Sequence, residues 1–167
     1  MRSLFIALVA LACAASAGAQ DDKKYASKDG KFAAKFPGEP KTVNQKAAGL
    51  DMVITIVEKG KSGFAVIVTD LPEIALKAGA DKILEGGETG LIANTKAKLV
   101  KSKEVKLKSN GKEFPAREIT AEKDDQHFRV TLVLADTRLY QVLVVGEKDV
   151  VTGKDADAFV KSFEITK

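Results

Sequence analysis

Six consecutive residues, Phe64-Ala65-Val66-Ile67-Val68-Thr69, carry no charge and present apolar groups to both sides of an extended chain. Successive side chains of a strand point to opposite faces, so a strand with one wet face alternates apolar and polar positions. This one does not alternate and needs cover on both sides. It belongs in the middle of a sheet, between the polar loop Glu58-Lys59-Gly60-Lys61-Ser62-Gly63 and Pro72, which closes the strand.

The flanking segments supply the neighbours such a strand requires. Phe32, Ala34 and Phe36 share one face of Lys31 to Phe36 at the two-residue period, and Pro37-Gly38-Glu39-Pro40 ends that strand, because two prolines remove backbone donors around a glycine. Lys41 to Ala48 reads as a weaker strand, and Met52 to Val57 as a β-branched one. Four more strands are expected at Leu99 to Lys108, Glu113 to Ala121, His127 to Ala135 and Arg138 to Val145. The hairpin signal Asn110-Gly111 and the short turn Asp136-Thr137 make them antiparallel.

Two segments have helical spacing. From Ala80 to Asn94, residues Ala80, Ile83, Leu84, Gly87, Leu91 and Ile92 fall on one stripe. Gly86, Gly87 and Gly90 weaken this helix by up to about 1 kcal/mol each relative to alanine, so it must rely on tertiary packing. The glycines either bring helix and sheet backbones together or leave space for a ligand. Near the end, Thr152-x-x-Asp155 is placed to cap a second helix, with Ala156, Phe159, Val160 and Phe163 toward the sheet. The expected fold is α+β, a single antiparallel sheet of about seven or eight strands packed by two helices, with a β-sandwich as the structural alternative.

The first residues follow the grammar of a secretory signal peptide: Arg2, the apolar run Leu4 to Ala12, then Ala17-Gly18-Ala19. Residues 1 to 19 are read as the signal, residues 20 to 29 as a flexible leader and residues 30 to 167 as one domain, exported to the periplasm or the medium. A lipoprotein anchored at Cys13 is disfavoured, because the lipobox prefers a larger aliphatic residue where Ala10 stands. Cys13 is the sole cysteine, so a chain beginning at Gln20 has no thiol for a disulfide, a nucleophile or a metal site. That chain has no stretch apolar enough for a transmembrane span, and it is expected to be a monomer.

Motifs that carry chemistry are sparse. His127, the one histidine, shares a strand face with Arg129 and Thr131 and lacks the converging partners of a metal or nucleophile site. Gly60-Lys61-Ser62 has Thr55 where a phosphate loop needs glycine, and a strand follows it, so it is read as a hairpin turn. Asp124-Asp125 reads as a polar turn, and Asp155 and Asp157 as first-turn helix carboxylates, without the alternating ligands of a calcium loop. No catalytic residue, metal site or cofactor is assigned.

One feature stands apart, the series Lys96, Lys98, Lys101, Lys103, Lys106 and Lys108 laid over a strand with few acids. Lysines on an edge strand discourage pairing with other chains. They also form a possible contact surface for an anionic partner. Nucleic acid is disfavoured, since residues 20 to 167 hold only Arg117, Arg129 and Arg138, no tryptophan, and no aromatic residues interleaved with the lysines.

Three stretches carry a family resemblance: Phe32-Ala33-Ala34-Lys35-Phe36-Pro37-Gly38-Glu39-Pro40, Arg138-Leu139-Tyr140-Gln141-Val142-Leu143-Val144-Val145, and Asp157-Ala158-Phe159-Val160-Lys161-Ser162-Phe163. With the element order they make the chain resemble small exported bacterial domains with a PsbP-like fold. The resemblance implies a non-enzymatic role by analogy and transfers no functional residue. The expected function is an exported binding or assembly module for a protein or an anionic envelope component. The rivals are a hydrolase-type enzyme assembled from dispersed residues and a small-ligand carrier with a cavity between helix and sheet.

Overall fold

The computed structural model describes residues 24–47 and 49–167. The proposed signal peptide and Cys13 lie outside the described residues. In chain order the elements are β1 (Tyr25–Ser27), β2 (Phe32–Ala34), β3 (Lys41–Ala47), β4 (Leu50–Lys59), β5 (Ser62–Asp70), α1 (Glu73–Leu76), α2 (Ala80–Thr95), β6 (Lys98–Ser109), β7 (Lys112–Lys123), β8 (Gln126–Ala135), β9 (Arg138–Gly146), α3 (Lys148–Val151), α4 (Lys154–Ser162) and β10 (Glu164–Ile165).

Seven strands form one antiparallel sheet in the order β3-β4-β5-β9-β8-β7-β6. The apolar run Phe64 to Thr69 lies in β5, flanked by β4 and β9 as its two-faced burial requires. Its register places Phe64, Val66 and Val68 opposite Val144, Val142 and Tyr140. These six side chains form one face, and every one is at most 2% exposed. On the opposite face α2 lies against β7 and β8, where Leu84 packs with Ile119, Val130, Leu132 and Leu139.

The first face is closed by two layers at once. Helices α3 and α4 contribute Val151, Ala156 and Phe159, and a separate three-stranded sheet, β1-β2-β10, contributes Phe32 and Ala34. Aromatic rings join the layers: Phe159 lies 4.9 Å from Phe36 and 5.7 Å from Phe64, and Phe163 lies 5.8 Å from Tyr140 and 6.0 Å from Phe32. Tyr25 sets its ring edge-on to Phe36 at 5.8 Å.

The single-sheet expectation is thus corrected. There are two antiparallel sheets, so the domain combines helices on a sheet with a small sandwich layer. The strand expected from Lys31 to Phe36 in the main sheet is instead Phe32–Ala34 in the small one: Pro37 and Pro40 interrupt backbone pairing and the chain folds over the first face. Its partners are β1, which starts inside the segment read as a flexible leader, and the two-residue β10. Segments that short show no hydrophobic period, because their stability comes from tertiary pairing. The single-turn helices α1 and α3 were missed for the same reason.

Helix α2 follows the expected stripe and runs one residue further. A Cβ at Gly87 would lie 2.9 Å from Leu132 Cδ1, so this glycine permits close approach of helix to sheet, whereas Gly86 and Gly90 face open space. The expected Thr152 cap is corrected as well. Helix α4 begins after Gly153, and the Thr152 hydroxyl donates to the Lys148 carbonyl of α3.

Candidate functional site

Strand β6 ends the seven-stranded sheet and, among the described residues, pairs only with β7, which leaves its outer backbone edge without a strand partner there. The sequence makes this strand long by its turn: Asn110 and Gly111 both take positive φ (49° and 75°), as a two-residue hairpin demands, and the pairing runs from Ser109↔Lys112 back to Lys98↔Glu122. One register shift, between Leu99 and Lys101, leaves Val100 as a bulge residue, 54% exposed.

The structure does not keep the six lysines together on one surface. Lys96 lies before the strand in the left-handed conformation (φ 56°) that ends α2. Lys101 and Lys103 face the same side of the sheet as Val105 and Leu107. Lys106 and Lys108 point to the α2 side with Ser102 and Glu104, as the alternation of the ladder requires. Lys106 and Lys108 both reach Glu113, at 3.2 and 3.4 Å. Lys98, Lys101 and Lys103 have no ion pair within 4 Å among the described residues, although Glu122 and Glu118 stand across from the first and last. Strand β6 carries five lysines against one glutamate. That excess equals the formal net charge of the whole chain, +4, so the remainder of the molecule is electrically balanced.

The edge is held in place from behind. Arg117 of β7, with its side chain 13% exposed, donates to Glu88 of α2 at 3.2 Å and to Glu104 of β6 at 3.0 Å, and the Ser102 hydroxyl also donates to Glu88. The buried Nε of Arg117 has no hydrogen-bond partner among the described residues. This cluster ties helix to edge strand, and the sequence did not single it out. Arg117 and Glu88 stand 29 residues apart, and no local pattern links them.

The other residues with possible chemistry have structural partners or plain places. His127 is half-buried in β8 beside Glu122 of β7 and Gly146 of β9. The strand face it shares with Arg129 is covered by α3 and α4 rather than open: Arg129 donates to Asp157 at 2.6 Å and to the Val151 carbonyl. Gly60 and Lys61 form the β4–β5 turn, with Gly60 at φ 62°. Asp124 takes positive φ in the β7–β8 turn, and Asp155 and Asp157 occupy the first turn of α4. Among the described residues no three His, Cys, Asp or Glu side chains are grouped to hold a metal ion.

Two ionisations are displaced. Hydrogen bonds from Arg129 and Lys161 hold the Asp157 carboxyl below the usual carboxylate range. A lowered folded-state value adds stability above the ordinary carboxylate range, and that contribution is lost as pH falls through the lowered value. Asp157→Asn is therefore expected to be less stable than wild type at pH 7 and to converge with it in acid, as checked by urea melts across pH. A gap unchanged down to strongly acidic pH would contradict this. Burial pushes the Tyr140 hydroxyl above the ordinary phenol range, opposed by Arg138. Tyr140 lies at the floor of a hollow of about 290 Å³ at the turn end of the sheet, where Lys31, Asn110, Asp136 and Arg138 also converge. Arg138 is engaged there by Asp70 at 2.7 Å and by the Asp29 carbonyl.

No helix among the described residues is long and apolar enough to cross a membrane. No protein-family model matches the chain, and no curated protein matches it. Among solved structures, the chain is similar to the solution structure of cyanobacterial PsbP (CyanoP) from Synechocystis sp. PCC 6803. The TM-score is 0.61, and the match covers 93% of this chain and 98% of that one at 15% sequence identity. An identity that low speaks to architecture alone, and on it the chain has a PsbP-like α+β fold.

Proposed function

We propose that this protein is an exported, non-enzymatic binding or assembly module that offers its β6 edge to an anionic protein or envelope component. The carrying observation is that the net charge of the chain is concentrated on one edge strand, with Lys98, Lys101 and Lys103 free of ion pairs among the described residues. A charged patch raises the encounter rate with opposite charge and selects against like-charged partners. The rival hydrolase reading finds less support. The hollow between β5 and the α3–α4 segment holds two carboxylates, but Asp155 pairs with Lys59 at 3.4 Å, and Asp149 accepts from the Val150 amide.

The carrier reading expected a cavity between α2 and the sheet, and the close approach at Gly87 works against one there. The hollow over Tyr140 is the place where a small ligand would be sought instead.

The test compares wild type with Lys101→Glu/Lys103→Glu in a pull-down from the cell envelope. A partner retained by wild type and lost by the variant, and lost again at high salt, is the expected result. Equal recovery by both proteins would overturn the reading. The intact mass of the protein recovered from the same fraction tests export, with a chain beginning at Gln20 expected.

A further inference from the structure

Strand β6 offers more than charge. Its outer edge presents backbone donors and acceptors at every second residue, in regular register from Lys101 to Ser109, with no strand paired to them among the described residues. We infer that β6 binds an acidic, extended segment of a partner protein by strand addition, so that the segment becomes the eighth strand of the sheet. This rests on the reading of β6 as a binding edge and names the partner's chemistry and mode.

The distribution of the lysines favours a chain over a flat anionic surface. Lys101 and Lys103 stand on one side of the sheet, and Lys106 and Lys108 on the other. A membrane or other flat polyanion laid against either side meets one pair and leaves the second pair in water. A strand lying along the edge reaches both pairs, because its own side chains alternate between the same two sides. The lysines also decide which strands are admitted. A second copy of this chain pairing through β6 would set five lysines against five, a like-charge arrangement that opposes association. An acidic strand meets no such opposition. Arg117 and Glu88 hold the edge to α2, so the strand is offered in a fixed shape and loses little freedom on binding.

The register also specifies what the segment must look like. Antiparallel to Lys101–Lys108, acids belong opposite Lys101, Lys103, Lys106 and Lys108, apolar residues opposite Val105 and Leu107, and a cation opposite Glu104. The peptide Glu-Val-Glu-Val-Lys-Glu-Thr-Glu satisfies this pattern. The Ser109↔Lys112 hairpin turns the amides of Ser102, Glu104, Lys106 and Lys108 outward, so methylating the backbone nitrogens of the peptide's second glutamate and its lysine, opposite Lys106 and Glu104, keeps the charge and removes donors that the ladder needs.

The experiment titrates both peptides, and separately vesicles of anionic phospholipid, into the isotopically labelled full-length domain, following amide shifts and hydrogen exchange. The unmethylated peptide is expected to bind and to slow exchange at the amides of Ser102, Glu104, Lys106 and Lys108. Binding should weaken by at least about tenfold with the N-methylated peptide or with Lys101→Glu/Lys103→Glu. If both peptides bind equally and exchange in β6 is unchanged, yet the lysine variant still weakens binding, strand addition is wrong and the anionic-partner reading stands. Vesicle binding that depends on Lys101 and Lys103 without peptide binding has the same consequence. If neither peptide nor vesicles perturb β6, both the inference and the broader reading fail.

Discussion

Phe159→Ala is expected to lower the free energy of unfolding by about 3–5 kcal/mol, the largest single effect in the domain. Phe159 is fully buried in α4 and touches three layers: Phe64 of the main sheet at 5.7 Å, Phe36 after the small sheet at 4.9 Å, and the α4 packing around Ala156. Removing the ring deletes its transfer free energy and leaves a cavity whose wall on one side is a seven-stranded sheet, which cannot collapse to fill it. The aromatic geometry adds to this, since edge-on pairs such as Phe64 with Phe159 contribute about 0.5–1.5 kcal/mol beyond area. Domains of this size have about 5–15 kcal/mol in total, so the variant should fold with much reduced margin. In urea the midpoint should drop while the slope stays the same, because the surface exposed on unfolding barely changes. A loss below about 1 kcal/mol would mean that the three layers are not joined at this ring.

Arg117→Ala is expected to cost about 2–3 kcal/mol, because it strands Glu88, whose side chain is 14% exposed, against the sheet without its counter-charge. Glu104, at 71% exposed, simply returns to water. The more telling variant is the double replacement Arg117→Met/Glu88→Met. The ion pair carries a desolvation cost, and the buried Arg117 Nε adds an unpaired donor, so replacing both partners with apolar groups should return stability to within about 1 kcal/mol of wild type. Chemical denaturation of the two single variants and the double variant closes a cycle whose coupling measures the pair directly. A double variant as unstable as the sum of the singles would show that the pair is not what those residues contribute.

Much of the main sheet was legible in the chain. The β5 run, the Asn110-Gly111 and Asp136-Thr137 turns, and the α2 stripe all lie where local chemistry puts them, because each signal sits within one element or one tight turn. The lysine series was legible as an edge strand, and β6 is the edge. The split of Lys101 and Lys103 from Lys106 and Lys108 follows from strand alternation alone, whereas the register shift at Val100, which decides the face of Lys98 and Leu99 relative to the later residues, left no signal in the sequence.

Local sequence determines extended or helical conformation wherever a period of two or 3.6 runs long enough to be read, and it placed the charge of this protein on one segment. Tertiary structure alone decided which segments pair across long separations. It brought β1 and β10, from opposite ends of the chain, onto β2 as a second sheet, and it set Arg117 under Glu88. It also left β6 at the sheet edge, without an outer neighbour among the described residues. The physical reason is that pairing and burial are decided by what the rest of the chain has already covered. A three-residue strand or a single buried ion pair has too little free energy of its own to leave a mark in its own sequence.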